Sequence, residues 1–112
     1  HPSAKIITTP VRTGQSITAR DCDVIVTANV NNGAEIIADG SVIVYGRIGG
    51  RVLAGSSGNK DARIICKDLK AELVSIAVKY VTLNNESISV DEKSTDGYVV
   101  YLKDDKIHIE GF

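Results

Sequence analysis

Stepping six residues at a time from Val24 lands on Val24, Val30, Ile36, Val42, Ile48 and Ala54, an unbroken aliphatic series. Six steps of ~100° carry a helical side chain to the opposite face, so an α-helix cannot bury this series. The positions two beyond each, Val26, Asn32, Ala38, Val44, Gly50 and Ser56, supply the second inward place of a short strand, with one outward residue between. Each unit is then a short strand and a turn, and three such units close a three-sided coil. Asp23-Val24-Ile25-Val26 recurs eighteen residues on as Ser41-Val42-Ile43-Val44, and Gly33-Ala34-Glu35-Ile36 as Arg51-Val52-Leu53-Ala54.

The phase extends both ways. Gly14-Gln15-Ser16-Ile17-Thr18-Ala19 leads Gly33-Ala34-Glu35-Ile36-Ile37-Ala38 by nineteen, a partial earlier coil. Ser56-Ser57-Gly58-Asn59 reads as an inserted loop, after which Ala62-Arg63-Ile64-Ile65 resumes about twenty residues after Val42. The expectation is an all-β fold, a short triangular β-helix of about three to four coils. Its ends are open strand edges that need covers. Gly97 to Leu102, a Lys103-Asp104-Asp105-Lys106 turn and Ile107-His108-Ile109 form a hairpin suited to one end, and Lys5-Ile6-Ile7-Thr8 a strand for the other. The stretch from Tyr80 to Gly97 reads as loop with one short strand near Ile88-Val90, and residues 1–4 as linker or cloning remnant, so residues 1–112 make a single domain.

Composition fits a thin, stacked core. Aromatic residues are 4%, with one Phe and no Trp or Met, whereas Val and Ile are abundant. Glycines at 33, 40, 46, 49, 50 and 55 fall at the expected corners, where positive φ suits glycine. Thirteen basic against fourteen acidic side chains leave a net charge of −1, which favours neither a polyanion nor a membrane surface as partner. No apolar run reaches the ~18 residues of a membrane span, so direct membrane insertion is not expected. Cys22 and Cys66 are read as reduced packing or surface thiols.

Winding the chain into coils sorts its outward residues. The first side carries Ile25, Thr27, Ile43, Tyr45, Arg63 and Ile65, an apolar face that fits either a subunit interface or a surface covered by the terminal segments. The second carries Asn31, Arg47 and Lys67 and reads as solvated. The third carries Ser16, Glu35, Ile37, Arg51, Leu53 and Leu73, charges rimming aliphatics, beside the corner Arg12-Thr13-Gly14-Gln15; it fits a partner-binding face or an ordinary surface.

Little points to chemistry. A β-helix of hexapeptide steps invites comparison with acyltransferases that bind coenzyme A, but their base is a coil histidine, and His1 and His108 both lie off the coils. Gly49-Gly50 and Gly55-Ser56-Ser57-Gly58 lack the Lys-Ser/Thr and helix of a phosphate loop. Asp21-Cys22-Asp23 and Asp104-Asp105 read as turns, not calcium ligands. No nucleophile with a base, no metal site, no cofactor and no nucleic-acid surface is expected.

Five separated blocks carry a family likeness: Pro10-Val11-Arg12-Thr13-Gly14-Gln15, Gly33-Ala34-Glu35-Ile36-Ile37-Ala38-Asp39-Gly40, Val44-Tyr45-Gly46, Gly50-Arg51-Val52-Leu53-Ala54-Gly55 and Ala71-Glu72-Leu73-Val74-Ser75-Ile76-Ala77. From about residue 5 to 80 they resemble the C-terminal domain of the MinC septum site-determining proteins; beyond Val81 the likeness is loose. The resemblance implies a right-handed triangular β-helix that dimerises, binds ATP-bound, membrane-attached MinD and helps to antagonise FtsZ. It places the family's Arg-Ser-Gly-Gln motif for MinD on Arg12, Thr13, Gly14 and Gln15, with Thr13 keeping the hydroxyl, and the adjoining part of that site on Gly33 and Glu35. It puts contacts to the FtsZ C-terminal tail near Arg51 and Leu73. The expected homodimer interface is the apolar first side, where Ile25, Ile43, Tyr45 and Ile65 lie in one outward ladder. The resemblance further implies a cytoplasmic domain that localises to the inner membrane face through MinD, and that inhibits weakly without the family's N-terminal domain. A structural β-helix polymerising end to end is the rival reading.

Overall fold

Sheet pairing in the computed structural model, which describes residues 4–83 and 96–112, winds the chain into an all-β solenoid of about four turns. The first side is built from β1 (Lys5–Ile7), β3 (Val24–Val26), β5 (Val42–Ile48) and β7 (Ile64–Leu69), stacked in parallel. The third side stacks β2 (Ser16–Ala19), β4 (Glu35–Ala38), β6 (Arg51–Ala54) and β8 (Leu73–Ile76), also in parallel. The second side is narrower: Val11, Val30 and Ile48 bridge one another in parallel, and Leu69 follows Ile48 in register.

Every member of the six-step series is buried, with Val24, Val30, Ile36, Val42, Ile48 and Ala54 fully inside. β-Branched side chains recur here because a stacked coil offers one narrow slot per rung, which a stiff, short side chain fills without rotamer loss. Among the second inward positions Val26, Ala38, Val44 and Gly50 are buried, but Asn32 and Ser56 are exposed, because the chain has already entered a corner at both. The nineteen-residue lead of the first coil holds, since Ser16 pairs with Glu35 and Ile17 with Ile36. The eighteen-residue offset fails on the third side: Glu35 lies against Arg51 and Ile36 against Val52. Asn31-Asn32-Gly33-Ala34 makes a wide corner, whereas the chain passes from Ile48 to Arg51 through Gly49-Gly50 alone. A difference of two residues keeps strand parity, so the inward set survives the slip.

The corners also separate two uses of glycine. Gly33 and Gly55 have the positive φ expected of them, at 78° and 59°. Gly40, Gly46, Gly49 and Gly50 do not; they make room for the neighbouring coil. A Cβ at Gly50 would collide with the Ala34 carbonyl, and one at Gly46 with the Asn29 side chain, whose Oδ1 accepts a 2.8 Å bond from the Arg47 amide. Acidic corner residues do the same work: the Asp39 carboxylate accepts from the Asp21 amide at 2.7 Å and the Ser56 hydroxyl at 2.9 Å. Those bonds, the backbone one foremost, hold its carboxyl below the usual carboxylate range.

The C-terminal end is closed by antiparallel strands. β9 (Lys79–Thr82) folds back on β8, and β10 (Tyr98–Lys103) and β11 (Lys106–Gly111) form the expected hairpin, with β10 antiparallel to β7. Asp104 and Asp105 make its turn, both at positive φ, as a two-residue hairpin loop requires. β9 corrects the loop expected from Tyr80 onward; Ala77, at φ 56°, makes the reversal without the glycine or proline that would have signalled it. The strand expected near Ile88-Val90 lies outside the described residues. At the other end β1 is the expected strand, added as a first parallel rung against β3.

Cys66 continues the inward ladder of Val26 and Val44. Burial, with Asp68 adding to it, pushes its thiol up to about 12. An unfolded thiol ionises near pH ~8.5, so ionisation favours the unfolded chain once pH exceeds that value. The contribution of Cys66 is therefore intact below about pH 8.5 and lost as pH rises towards the folded value, at up to ~1.4 kcal/mol per unit. Urea titrations at neutral pH and at alkaline pH should show the native chain losing more stability than Cys66→Ala.

Candidate functional site

The corner Arg12-Thr13-Gly14-Gln15 is tied down by its own backbone and by the coil above. The Gln15 amide N–H donates to the Arg12 carbonyl at 2.9 Å, and the Arg12 N–H donates to the Gln15 side-chain oxygen at 2.7 Å. Gln15 thus directs its side-chain oxygen to the turn, which leaves the two N–H donors of its amide for other contacts. Gly14 does hold the corner conformation expected of it, at φ 85°, and its N–H donates to the Gly33 carbonyl at 3.1 Å. The Thr13 hydroxyl donates to the Asn32 carbonyl at 2.5 Å, so this exposed residue also anchors its corner to the next. Its methyl group occupies the space that a Cβ at Gly33 would need. Arg12 itself is exposed, its side chain standing on a fixed backbone.

Beside this corner the third side presents two outward ladders. Ser16, Glu35, Arg51 and Leu73 stand in register, and next to them Thr18, Ile37, Leu53 and Tyr80, with Ser75 buried in the row between the last two. The Arg51 guanidinium meets the Glu35 carboxylate at 2.9 Å, and the Ser16 hydroxyl donates to the same carboxylate at 3.3 Å. Glu35 and Arg51, expected to serve different partners, thus form one ion pair, a half-exposed contact worth about 0–1 kcal/mol. A partner meets the two charges together or separates them. Tyr80 ends the second ladder, two-thirds exposed; the reading of a loop from that residue onward hid it. Gly33 is fixed from the other direction, its N–H donating to the Glu72 carboxylate at 3.1 Å.

On the first side Ile25, Ile43 and Ile65 pair in one outward ladder, as expected, and Ile6 and Val99 lengthen it at either end. Ile6 stands nineteen residues before Ile25, the lead already seen between Ser16 and Glu35, and that signal could have found it. Tyr45 stands beside the ladder at a bulge, 61% exposed. The hairpin extends this sheet edge to edge and does not lie across it, so the face stays open among the described residues. Lys67, assigned to the second side, sits opposite that bulge; with Tyr45, Ile43, Ile65 and Phe112 it lines a groove of about 330 Å³. His108 lies on β11, stacked on Tyr101 at 5.5 Å, and the Arg63 guanidinium covers the same Tyr101 ring at 4.8 Å. Among the described residues no three His, Cys, Asp or Glu side chains gather where they could hold a metal ion, and no helix is long and apolar enough to cross a membrane.

The family described as "Septum formation inhibitor MinC, C-terminal domain" matches residues 5–112. Curated relatives named "Probable septum site-determining protein MinC" include those of Vibrio cholerae, 57% identical, and Vibrio campbellii, 59% identical, each over 76 residues, 68% of this chain and 34% of the relative. The chain spans about a third of the length of these relatives. Among solved structures, the "MinC:MinD cell division protein complex" of Aquifex aeolicus superposes with a TM-score of 0.86 at 27% identity, covering 98% of this chain and 87% of that one.

Proposed function

The chain belongs to the MinC C-terminal domain family of non-catalytic septum formation inhibitors, and from that premise we propose that residues 1–112 form one targeting and dimerisation domain. In this reading the domain binds ATP-bound MinD, is carried by it to the inner face of the cytoplasmic membrane, and there contributes to antagonising FtsZ, so placing the division septum. The observation that carries it is the preordered corner at Arg12 to Gln15, flanked by Gly33 and Glu35, on a fold shared with the MinC:MinD complex. A pull-down with MinD, with and without ATP, tests it: capture only with ATP is the expected result, and equal capture or none in both conditions overturns it.

The partner at the open apolar face is a second copy of this chain. Ile25, Ile43 and Ile65 with Tyr45 form a continuous outward strip, and a stable dimer would bury at least ~1,000 Å² there. Tyr45→Asp puts a charge into that contact, and sedimentation should shift from dimer to monomer at micromolar concentration. End-to-end polymerisation is less well served, because β9, β10 and β11 close the C-terminal end with antiparallel strands.

The FtsZ tail is assigned to Arg51 and Leu73, neighbours in register on the third side. The Glu35 partner of Arg51 adds a condition: an acidic tail must compete with that carboxylate. Arg51→Glu removes the cation and sets two acids side by side, so labelled FtsZ C-terminal peptide should bind about tenfold or more weakly. Unchanged affinity in a folded variant would discredit the assignment.

A further inference from the structure

The second side, expected to be merely solvated, carries a groove of about 500 Å³ lined by Thr13, Asn31, Asn32, Arg47 and Lys70. Each wall residue stands on backbone that the coils hold in place. The Arg47 amide donates to the Asn29 side chain at 2.8 Å and its carbonyl accepts from Val30 at 2.9 Å. The Lys70 amide donates to the Ile48 carbonyl at 2.8 Å, and the Asn31 amide to that of Val11 at 2.9 Å. Thr13 closes one end through its bond to the Asn32 carbonyl.

Arg47 and Lys70 present two cationic heads on this side, and the ion pairs formed among the described residues, Arg51 with Glu35 and Lys60 with Asp105, involve neither. Two acids lie near. Asp68 is the register neighbour of Arg47 without reaching ion-pair distance, and Glu72 has one oxygen committed to the Gly33 amide. Two cationic side chains on fixed backbone and two side-chain amides around one concavity form a receptor for carboxylates. Thr13 belongs both to this groove and to the Arg12 to Gln15 corner, so the two surfaces are continuous.

We propose that the groove receives acidic side chains of the partner that docks at the Arg12 corner, extending that contact onto the second side through Arg47 and Lys70. The inference rests on the MinD reading above and adds the chemistry of the contacting surface: a segment of Asp or Glu residues. A protein segment is favoured over a lipid surface because two cations in a concavity fit single carboxylates, whereas attraction to an anionic membrane needs a cluster of about four to eight basic residues.

The experiment measures binding of ATP-bound MinD to the chain, in solution and over a range of salt, for the native sequence, Arg12→Ala, the pair Arg47→Gln with Lys70→Gln, and the pair Arg47→Glu with Lys70→Glu. None of the bonds that fix the groove uses the Arg47 or Lys70 side chain, so each variant should melt with the native chain. The neutral pair should weaken binding several-fold and flatten its salt dependence, and the acidic pair should weaken it about tenfold or more. If Arg12→Ala loses binding while both groove pairs keep native affinity and salt dependence, the groove proposal falls and the corner stands. If no variant changes affinity, both fall. Sedimentation with phosphatidylglycerol vesicles in the absence of MinD is the remaining arm. Vesicle binding that the acidic pair abolishes, with MinD affinity unchanged, assigns the groove to lipid and overturns the proposal.

Discussion

Ile36→Ala lowers the stability of the chain by roughly 2–4 kcal/mol. Ile36 is fully buried and stands between Ile17 below and Val52 above in the third-side stack. Removing most of its side chain leaves a void that neighbouring rungs cannot fill, because each is fixed at strand spacing by the backbone ladder on both sides. A globular core can collapse around such a void by shifting a helix; a stacked coil would have to break its own hydrogen bonds to do so. Asn31→Ala, on an outward position, should change stability by less than about 0.5 kcal/mol. Chemical denaturation of the two variants beside the native chain checks the contrast, and equal losses would mean that the inward phase is misassigned.

That phase was legible because burial in a solenoid repeats with the chain. Val24, Val30, Ile36, Val42, Ile48 and Ala54 announce themselves without any long-range information, and the hairpin at Asp104-Asp105 follows from alternation and turn chemistry alone. Corner length is another matter. Asn31-Asn32-Gly33-Ala34 and Gly49-Gly50 take the chain round equivalent corners with different numbers of residues, and only the strands' pairing shows that Glu35 meets Arg51. The Glu35 to Arg51 ion pair and the sharing of Thr13 between corner and groove were out of reach for the same reason. Both depend on which residues of successive coils coincide, and a two-residue difference in corner length leaves the hydrophobic pattern untouched. The groove escaped for a further cause. Its cations are separated by more than a coil in sequence, so no local run of charge marks them.

The corner residues divide by what each substitution would test. Thr13 and Gln15 are structural as much as they are presented: one anchors the next coil and the other closes the turn through its side-chain oxygen. Gly14, at φ 85°, could not become alanine without backbone strain, although nothing occupies the space a Cβ would enter. Loss of partner binding in any of these three variants would mix folding with recognition. Arg12 is different. Its amide and carbonyl make the turn, and both survive truncation to alanine.

Arg12→Ala is therefore expected to melt with the native chain and to lose ATP-dependent recruitment to MinD-coated vesicles. An exposed arginine on a rigid corner gives a planar fork of donors that suits a carboxylate, with little ordering of the backbone left to be done on binding. Truncating such an interfacial charge costs ~2–5 kcal/mol, much of it from the partner's carboxylate left buried without its mate. Recruitment should thus fall by at least about thirtyfold, and Arg12→Lys should restore only part of it, since an ammonium keeps the charge but not the fork. Full recruitment of a folded Arg12→Ala chain would make this corner a cap on the first coil and nothing more. A parallel fall in melting temperature would point the same way, because a residue whose side chain only binds has no part in holding the coil together.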